Sequence, residues 1–473
     1  MRATGHAYDL LSSADVAAIH DGALTILERM GLVIQHRGLL QALAAHGARV
    51  DLDAERATFP RALVERFIAD APKHDWAGAI PHVSGSAGVY EGLYHDPVSG
   101  ELVPWTEARL ALYVALARRL PRISGASMLG SRLVPPGPLE PLYERLHAWT
   151  YGATDSGTIL SDEICPYLLD VYEVAAAERG VPLAEAFHGT VYLIPALKLG
   201  RHEAYQVAYF RERGLRVHIG HSMPTLGATA PVTLAGGVTL NLAEQLALGL
   251  VNRMWFDDAG LHLGCSLAPM DMRTAIRPFG RPEMAIANLM TAQLARVYGV
   301  PFSGHAGLSD AKLPSVEAGA QKALSAVPTL LAGGSLWMDV GLLATDEVCS
   351  PIQMVLDNEL LGALERFTQE IHVDEEAIGL ETILEAGPGG HYLDRWHTAR
   401  HCREEVWSPG IWSRQMLRSW LAGDRLLDVD AAREVVLQVQ SDLAREPEER
   451  RISEAFEREL LAIIARARSD LID

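Results

Sequence analysis

From residue 12 to about residue 80, apolar positions recur at helical spacing. In SSADVAAIHDGALTILERMGL a serine cap precedes Val16, Ile19, Leu24, Ile26 and Leu27 on one stripe, which predicts a helix. RGLLQALAAHGARVD repeats the pattern and stops at Gly47, a residue suited to ending a helix. FPRALVERFIADAPKH follows and ends at Pro72. GVYEGLYHDPVSGELVPW then alternates and turns between Pro97 and Gly100, which predicts a hairpin.

After Trp105 the rhythm changes. Helical patterns alternate with short apolar runs: ISGASML, GTILSD, TVYLIPA, LRVHIGHS, LHLGCSL, PFSGHAG and SLWMDVGLL. Among the intervening helices, Val238, Leu242, Leu246, Leu250 and Met254 form one i, i+4 ridge. Seven strand-like runs with crossover helices imply a parallel sheet. Over roughly 250 residues this predicts a (β/α)8 TIM barrel in the α/β class, although the pattern does not show an eighth strand. A doubly wound sheet is the alternative, but no GxGxxG opens a helix after the first strand. The predicted organisation is an N-terminal helical region over 1–85, a barrel domain over 86–423 and charged C-terminal helices over 424–473.

Length and composition are consistent with this. One large α/β domain with additions fits 473 residues, and 49% hydrophobic with 21% charged is the balance of a globular enzyme. The formal charge of −19 argues against nucleic acid or an anionic membrane as partner. The first residues, MRATGHAYDLLSSADV, lack the apolar core of a signal peptide, and no apolar run reaches bilayer length. The four cysteines are far apart, with no CxxC, which favours a reducing cytoplasm.

In a barrel the chemistry sits where strands end. Those ends carry His218, His221 and Ser222; then Cys265, Asp271 and Arg273; then His305, Ser309, Asp310 and Lys312; then Trp337, Met338 and Asp339. Zinc bound by His218, His221 and Cys265 is a weak expectation, because HxxH on a strand sends its two rings to opposite faces. There is no nucleophile elbow and no phosphate loop. Aromatic residues in loops or at strand ends remain: Tyr90, Tyr94, Trp105, Trp149, Tyr151, Trp337, Tyr392 and Trp396. A group of such rings around a cavity suits a methylated ammonium, which is held by ring faces and needs no hydrogen-bond acceptor.

Several longer stretches resemble a known family. GATAPVTLAGGVTLNLAEQLALG, with Thr229, Pro231, Thr233, Gly236, Asn241 and Glu244, resembles a signature of the trimethylamine methyltransferase family. So do MDMRTAIRPFGRPEMA, ending in the turn Gly280 to Glu283, GLSDAKLPSVEAGAQKAL, SPIQMVLDNELLGALERF, GPGGHYLDRWHTARHCREEVWSP and the N-terminal ADVAAIHDGALTILERMGLVI. Ala230 stands where the family commonly has Gly, and Ser315, Glu317 and Gln321 stand where it commonly has Asp, Gln and Glu.

The resemblance implies a TIM-barrel methyltransferase. It would move a methyl group from a methylated amine to the Co(I) corrinoid (cobalamin) of a separate partner protein, hold no cofactor tightly itself and form a homo-oligomer. The archaeal trimethylamine enzymes carry pyrrolysine, whereas this chain has only the twenty standard residues. The resemblance is therefore to the branch acting on quaternary amines such as glycine betaine.

On that reading Tyr94, Trp337 and Tyr392 cage the ammonium, while His305, Asp310 and His391 orient the rest of the substrate. Glu283, Asp339 and Lys312 tune the charge, and Arg273 or Lys312 meets a substrate carboxylate. The corner from Gly387 to Gly390 is expected to bring His391 and Tyr392 to the barrel mouth. The rival readings are a non-catalytic betaine-binding protein and a metal-dependent barrel enzyme using His218, His221 and Cys265.

Overall fold

The computed structural model describes residues 9–78, 81–90, 92–134, 137–446 and 448–472. The expectation of no leader rests partly on residues 1–8, which lie outside the described residues.

Among the described residues, eight strands joined by parallel ladders or bridges alternate with eight longer helices. They are β1 (Val83–Val89), α1 (Glu107–Arg119), β2 (Ile123–Met128), α2 (Glu140–Tyr151), β3 (Thr154–Asp155) and α3 (Cys165–Arg179), followed by β4 (Gly189–Tyr192) and α4 (Arg201–Arg211). Next come β5 (Val217–Gly220), α5 (Leu234–Phe256), β6 (Leu263–Cys265), α6 (Pro282–Tyr298), β7 (Phe302–Ala306), α7 (Val316–Leu331), β8 (Ser335–Val340) and α8 (Pro351–Thr368).

All ladders among these strands are parallel. Six strands form one sheet in the order β6-β7-β8-β1-β2-β3, so the last strand in the chain pairs with the first. β4 and β5 form a second pair, and a bridge from Thr158 to Thr190 links the segment after β3 to β4. The fold is therefore mixed α/β around a parallel sheet. The strand absent from the seven predicted runs is β1, whose sequence VSGSAGV is small and gives little apolar contrast, while the predicted run GTILSD falls just after the two-residue β3. β1 runs through the expected boundary at residue 85.

The two faces of the sheet differ. A Cβ on Gly304 would collide with Thr329 of α7, and one on Gly85 with Leu361 of α8, so these positions face the helices. Side chains alternate along a strand. Ser84, Ser86, Ser303 and His305 therefore face the other way, together with Trp337 and Asp339, which pair with Ser84 and Ser86. Water reaches this second face, where Trp337 remains 38% exposed.

The N-terminal region holds the helices Ser13–Arg29, Arg37–Ala44 and Arg61–Asp70 and three short strands. The strand Leu32–Ile34 adds in parallel to Lys198–Leu199 in the β4–α4 connection. Gly22 lies where a Cβ would come within 2.8 Å of Thr239 of α5, so the first helix sits close against α5. The predicted hairpin pairs Tyr94 with Val103 and His95 with Leu102, and its turn is closed by Asp96 Oδ1 accepting from the Val98 and Ser99 amides. At the other end of the chain, Asp428–Arg445 packs on α8 and α1, and Glu454–Leu471 on α3 and α2.

α5 is one exception to the expectation that no apolar segment reaches bilayer length. It is long and apolar enough, but 78% of its apolar window is buried inside the fold. Its polar side chains are structural. Asn241 donates to the Gly264 carbonyl at 3.0 Å, and Glu244 accepts from the Leu197 amide and the Ser222 hydroxyl. Thr233 caps the helix by accepting from the Gly236 amide. The threonine, asparagine and glutamate of the GATAPVT stretch thus anchor a core helix.

Candidate active site

Five neighbouring strand ends are joined by one chain of side-chain hydrogen bonds. His221 follows β5, Ser266 follows β6, His305 lies near the end of β7, Asp339 near the end of β8, and Tyr90 follows β1. His221 Nε2 lies 3.2 Å from Ser266 Oγ, and Ser266 Oγ lies 3.3 Å from His305 Nδ1. His305 Nε2 is 2.5 Å from Asp339 Oδ2, and the Tyr90 hydroxyl donates to Asp339 Oδ1 at 3.4 Å.

One assignment of protons satisfies every member. His221 Nε2–H donates to Ser266, the Ser266 hydroxyl donates to His305 Nδ1, and His305 Nε2–H and Tyr90 both donate to Asp339. Burial, then the neighbouring His305, lowers the His221 imidazole to about 4, so it is neutral at neutral pH and can take the donor role. Asp339, then burial, pushes the Tyr90 phenol well above its ordinary value. The Trp337 ring lies 5.6 Å from that of His305 on the same water-facing side. Tyr192, also exposed, ends β4.

Two loops add opposite charges. Arg277, between β6 and α6, is largely buried, and burial pulls its guanidinium down to about 10. It donates to the Ser266 carbonyl, and its guanidinium carbon lies 4.7 Å from the Phe279 ring centroid. Its Nε is buried without a hydrogen-bond partner, and no carboxylate among the described residues forms an ion pair with it. Asp346 acts on this cation through space, and the unpartnered Nε–H leaves it able to bond one more acceptor. Asp346, in the loop after β8, is raised to about 6 by burial and then by the charge of Asp339. Its Oδ1 also lacks a partner.

The loop geometry explains why Arg277 enters the site and Arg273 does not. Asp271 Oδ1 accepts from the Arg273 and Thr274 amides, and Ala275 takes a positive φ of 59°. This tight turn leaves Arg273 exposed and sends the chain inward. Asp310 then receives the Phe279 and Gly280 amides at 2.8 and 3.0 Å and the Thr345 hydroxyl at 3.3 Å. Asp310 thus clamps together the loops that carry Arg277 and Asp346. Ala344, Thr345 and Asp346 all have positive φ, a strained run held by the Ala344 amide on the Ala311 carbonyl and the Thr345 amide on that of Ser309.

Beneath the site, Lys322 is fully buried. Its Nζ donates to the carbonyls of Gly307 and Asp339 and to Asp357 Oδ2 at 2.9 Å. Asp357 also accepts from the Gly341 amide. This ion pair fastens the ends of β7 and β8 to α8.

Of the residues expected from the sequence, His305, Asp339 and Trp337 meet in this cluster. The others lie elsewhere. Tyr94 is only 1% exposed and is packed against Trp105 and Tyr113 at ring distances of 5.1 and 6.5 Å, so it is core rather than cage. Asp310 points its carboxylate at backbone amides and acts by positioning. Lys312 is exposed and donates to the Asp310 carbonyl. Glu283 sits in the first turn of α6 with Oε2 buried and unpartnered, and no hydrogen bond ties it to the cluster.

His391 and Tyr392 are not at the mouth. His391 is on an exposed segment, its side chain 72% accessible, and pairs with Asp394 of the same segment. That segment is tied to α8 through Glu359, which accepts from the Ile411 and Trp412 amides, and through Arg366, which pairs with Glu405. Glu359 and Arg366 lie at the middle and in the last turn of α8, which runs back from the strand ends, so the segment is held away from the site.

The zinc alternative fails on geometry. Cys265 is fully buried in the core, and it is Ser266 that meets His221. Among the described residues no three His, Cys, Asp or Glu side chains are grouped to hold a metal ion.

Sequence reasoning missed Ser266, Arg277, Tyr192, Lys322 and Asp346. It had Tyr90 among the loop aromatics without selecting it. Arg277 and Lys322 lie inside stretches already singled out by their family likeness, which was the available signal. Nothing in the sequence marks Asp346. Glu317 and Gln321, which depart from the family pattern, hydrogen bond to each other at 3.1 Å, while Gln321 Oε1 accepts from Ser309 and from the Asp310 amide. The departure therefore keeps a side-chain pair at this place.

The fold and site define a parallel α/β protein with a polar, aromatic-rimmed site at its strand ends. Its sequence belongs to the trimethylamine methyltransferase (MTTB) family, whose profile matches residues 1–78 and 206–471. A trimethylamine methyltransferase of Desulfitobacterium hafniense (strain DSM 10664 / DCB-2) is 26% identical over 453 residues, covering 92% of this chain and 90% of that protein. A glycine betaine methyltransferase of Desulfitobacterium hafniense (strain Y51) is 26% identical over 432 residues, covering 87% and 88%. The monomethylamine methyltransferase of Methanosarcina barkeri, a solved structure, aligns at a TM-score of 0.43 with 13% identity over 92% of this chain and 93% of that one, too loose a match to inform the fold.

Proposed function

We propose that this protein takes a methyl group from a quaternary amine bearing a carboxylate, a betaine, and passes it to the Co(I) corrinoid of a partner protein. Membership of the family supports methyl transfer. The observation that carries the substrate class is Arg277, whose guanidinium is bonded to the carbonyl of Ser266 in the hydrogen-bond chain and keeps a buried, unpartnered Nε–H.

The strands form a closed (β/α)8 barrel on this reading. The β8–β1 ladder and the Thr158–Thr190 bridge support closure, and the His221–Ser266 hydrogen bond spans the junction between β5 and β6, where no ladder is formed among the described residues. The site then lies at the mouth, where barrel enzymes bind their substrates.

The Trp337, Tyr90 and Tyr192 rings receive the ammonium, which needs no hydrogen-bond acceptor. Asp339 and Asp346 supply negative charge on the same side. Arg277 receives the carboxylate and fixes which N–CH3 bond points outward. A quaternary nitrogen leaves as a neutral tertiary amine, with the C–N electron pair staying on nitrogen, so no proton has to be delivered. Catalysis by this chain then rests on alignment and on removal of water from the cation. A corrinoid, when its carrier docks, supplies the nucleophilic cobalt, and the exposure of Trp337 and Tyr192 at the mouth fits an acceptor that comes from outside. A cytoplasmic setting goes with this reading.

His305–Asp339 and the raised Asp346 favour one second reading, a tertiary amine taken up in its protonated form. Methyl transfer to free Co(I) cobalamin, followed by its visible spectrum, separates the two. The donors are glycine betaine, proline betaine, carnitine, γ-butyrobetaine, choline and trimethylamine. Methylcobalamin is expected with a carboxylated quaternary amine. Transfer from trimethylamine alone establishes the second reading. Betaine binding without transfer to any acceptor identifies a binding protein instead.

A further inference from the structure

Asp346 is a half-buried carboxylate at the site that no donor in the protein engages. Its Oδ1 is buried without a partner, and among the described residues neither of its oxygens accepts a hydrogen bond or joins an ion pair. The neighbouring carboxylates are fully used. Asp339 accepts from His305 on one oxygen and from Tyr90 on the other. Asp310 accepts from the Phe279 amide on one oxygen and from the Gly280 amide on the other. The backbone is strained to bring Asp346 here. Ala344, Thr345 and Asp346 have φ of 54°, 58° and 75°, a left-handed run that residues with a side chain adopt only when their surroundings hold them there. The Thr345 hydroxyl on Asp310, at 3.3 Å, is part of that hold. The strain delivers Asp346 within electrostatic reach of Asp339, His305, Arg277 and Tyr90. A carboxylate left in this state is costly until a ligand brings it a donor.

The two amines that pass through the site differ in what they can offer. A quaternary donor has no N–H. When its methyl group goes to cobalt, the C–N bond breaks and the electron pair stays on nitrogen. That lone pair then takes up one proton from the solvent, because a tertiary alkylamine is basic enough to be protonated at neutral pH. The product therefore keeps the positive charge and the carboxylate of the donor and gains an N–H.

We infer that Asp346 accepts the N–H of the demethylated, protonated amine and so distinguishes the product from the donor. This role rests on the betaine reaction proposed above and adds to it the residue that tells its two amines apart. Arg277 holds the carboxylate in both complexes, and only the product completes Asp346. The proton held between nitrogen and Asp346 occupies the lone pair that would otherwise take the methyl group back. Transfer is thereby made one-way within the site, and the product leaves slowly and competes with the next donor.

Isothermal titration of the full chain at pH 7.5 tests this without any methyl transfer. The ligands are glycine betaine, γ-butyrobetaine and proline betaine, each beside its product with one methyl group fewer: N,N-dimethylglycine, γ-(dimethylamino)butyrate and N-methylproline. The wild type is expected to bind the product at least about tenfold more tightly than the betaine it comes from, the size of a charge-assisted hydrogen bond. In Asp346→Asn the preference is expected to shrink at least about fivefold, because the acceptor loses its charge. Loss of the general negative charge weakens both amines, so the ratio and not either affinity is the readout. A second comparison needs no variant. Dimethylsulfonioacetate matches N,N-dimethylglycine in size, charge and carboxylate but has no N–H, and the wild type is expected to bind it no more tightly than glycine betaine. Equal affinity for donor and product in the wild type overturns the role of Asp346. So does a ratio that Asp346→Asn leaves unchanged, or a sulfonium bound as tightly as the product amine. Loss in Asp346→Asn of a preference for carnitine over γ-butyrobetaine assigns the carboxylate to a donor hydroxyl instead, and also overturns it. If no betaine binds, the proposed substrate class fails and this role falls with it, whereas a betaine that binds beside an unfavoured product removes the role alone.

Discussion

His305 and Asp339 meet at 2.5 Å across two neighbouring parallel strands, although their backbones are not in register. His305 pairs with Trp337, and Asp339 lies two residues further on the same face. The imidazole therefore reaches diagonally along the sheet and is held from behind by Ser266. Asp339→Asn keeps the shape but removes the acceptor that selects the His305 tautomer. The expected result is a fall in kcat/KM of about 10- to 100-fold with folding intact, the size typical of losing a charge-assisted hydrogen bond that aligns the site. Steady-state transfer rates with circular dichroism as the folding control decide it. Full activity in Asp339→Asn would remove this pair from the site.

Arg277→Gln removes the proposed carboxylate anchor while keeping hydrogen-bonding capacity. For a betaine, KM is expected to rise about 10- to 100-fold, as for loss of a charge-assisted hydrogen bond, with a smaller change in kcat. For a quaternary amine without a carboxylate, such as choline, KM should not move. Arg273→Gln, on the exposed side of the same loop, serves as the control and should match the wild type for both. Equal effects on the two substrates would show that Arg277 supports the loop and does not touch the carboxylate.

Tyr90 and Tyr94 are four residues apart and lie in different environments. The Tyr94 hydroxyl is buried without a partner, so Tyr94→Phe should be neutral or slightly stabilising and leave turnover unchanged. Tyr90→Phe loses a hydroxyl that bonds Asp339, with an expected three- to tenfold drop in turnover, about 1 kcal/mol. If Tyr94 proves sensitive and Tyr90 does not, the cage is the one the sequence suggested.

Two buried groups give opposite pH dependences over one range. Asp346 is raised to about 6, so the folded state holds its proton more tightly than the unfolded chain does. It therefore costs stability as pH climbs from about 4 to 6, up to about 3 kcal/mol at neutral pH. His221 is lowered to about 4, so the unfolded chain binds that proton first. Its contribution is present above about 6.5 and is lost as pH falls toward 4, again by about 3 kcal/mol. Thermal melts at pH 4, 5.5 and 7.5 should show Asp346→Asn gaining on the wild type as pH rises. His221→Gln should gain as pH falls. Melting curves that stay parallel at all three values would contradict both assignments.

The site was legible in part, for physical reasons. His305, Trp337 and Asp339 could be read because each lies on or beside an apolar run, and strand ends in an α/β fold point toward the ligand. Tyr94 misled because an aromatic in a hairpin has the same local pattern whether it faces a cavity or the core. His391 and Tyr392 misled because a glycine corner specifies a turn and not what lies beyond it. Arg273 and Arg277 are four residues apart in one loop, and only the Asp271 turn and the Asp310 clamp decide which one faces inward.

By itself the sequence determined the alternation of strand and helix, the N-terminal helices, the hairpin at residue 97 and the family. These follow from periodicity, caps and turn residues, which act within a few positions of the chain. The tertiary structure alone decided the pairing of the last strand with the first, the hydrogen-bond chain from His221 to Tyr90, the placing of Arg277 on the Ser266 carbonyl and the exposure of the segment after α8. Each joins residues separated by tens to hundreds of positions, and their energies depend on burial and on neighbouring charge. Neither quantity exists until the chain has folded.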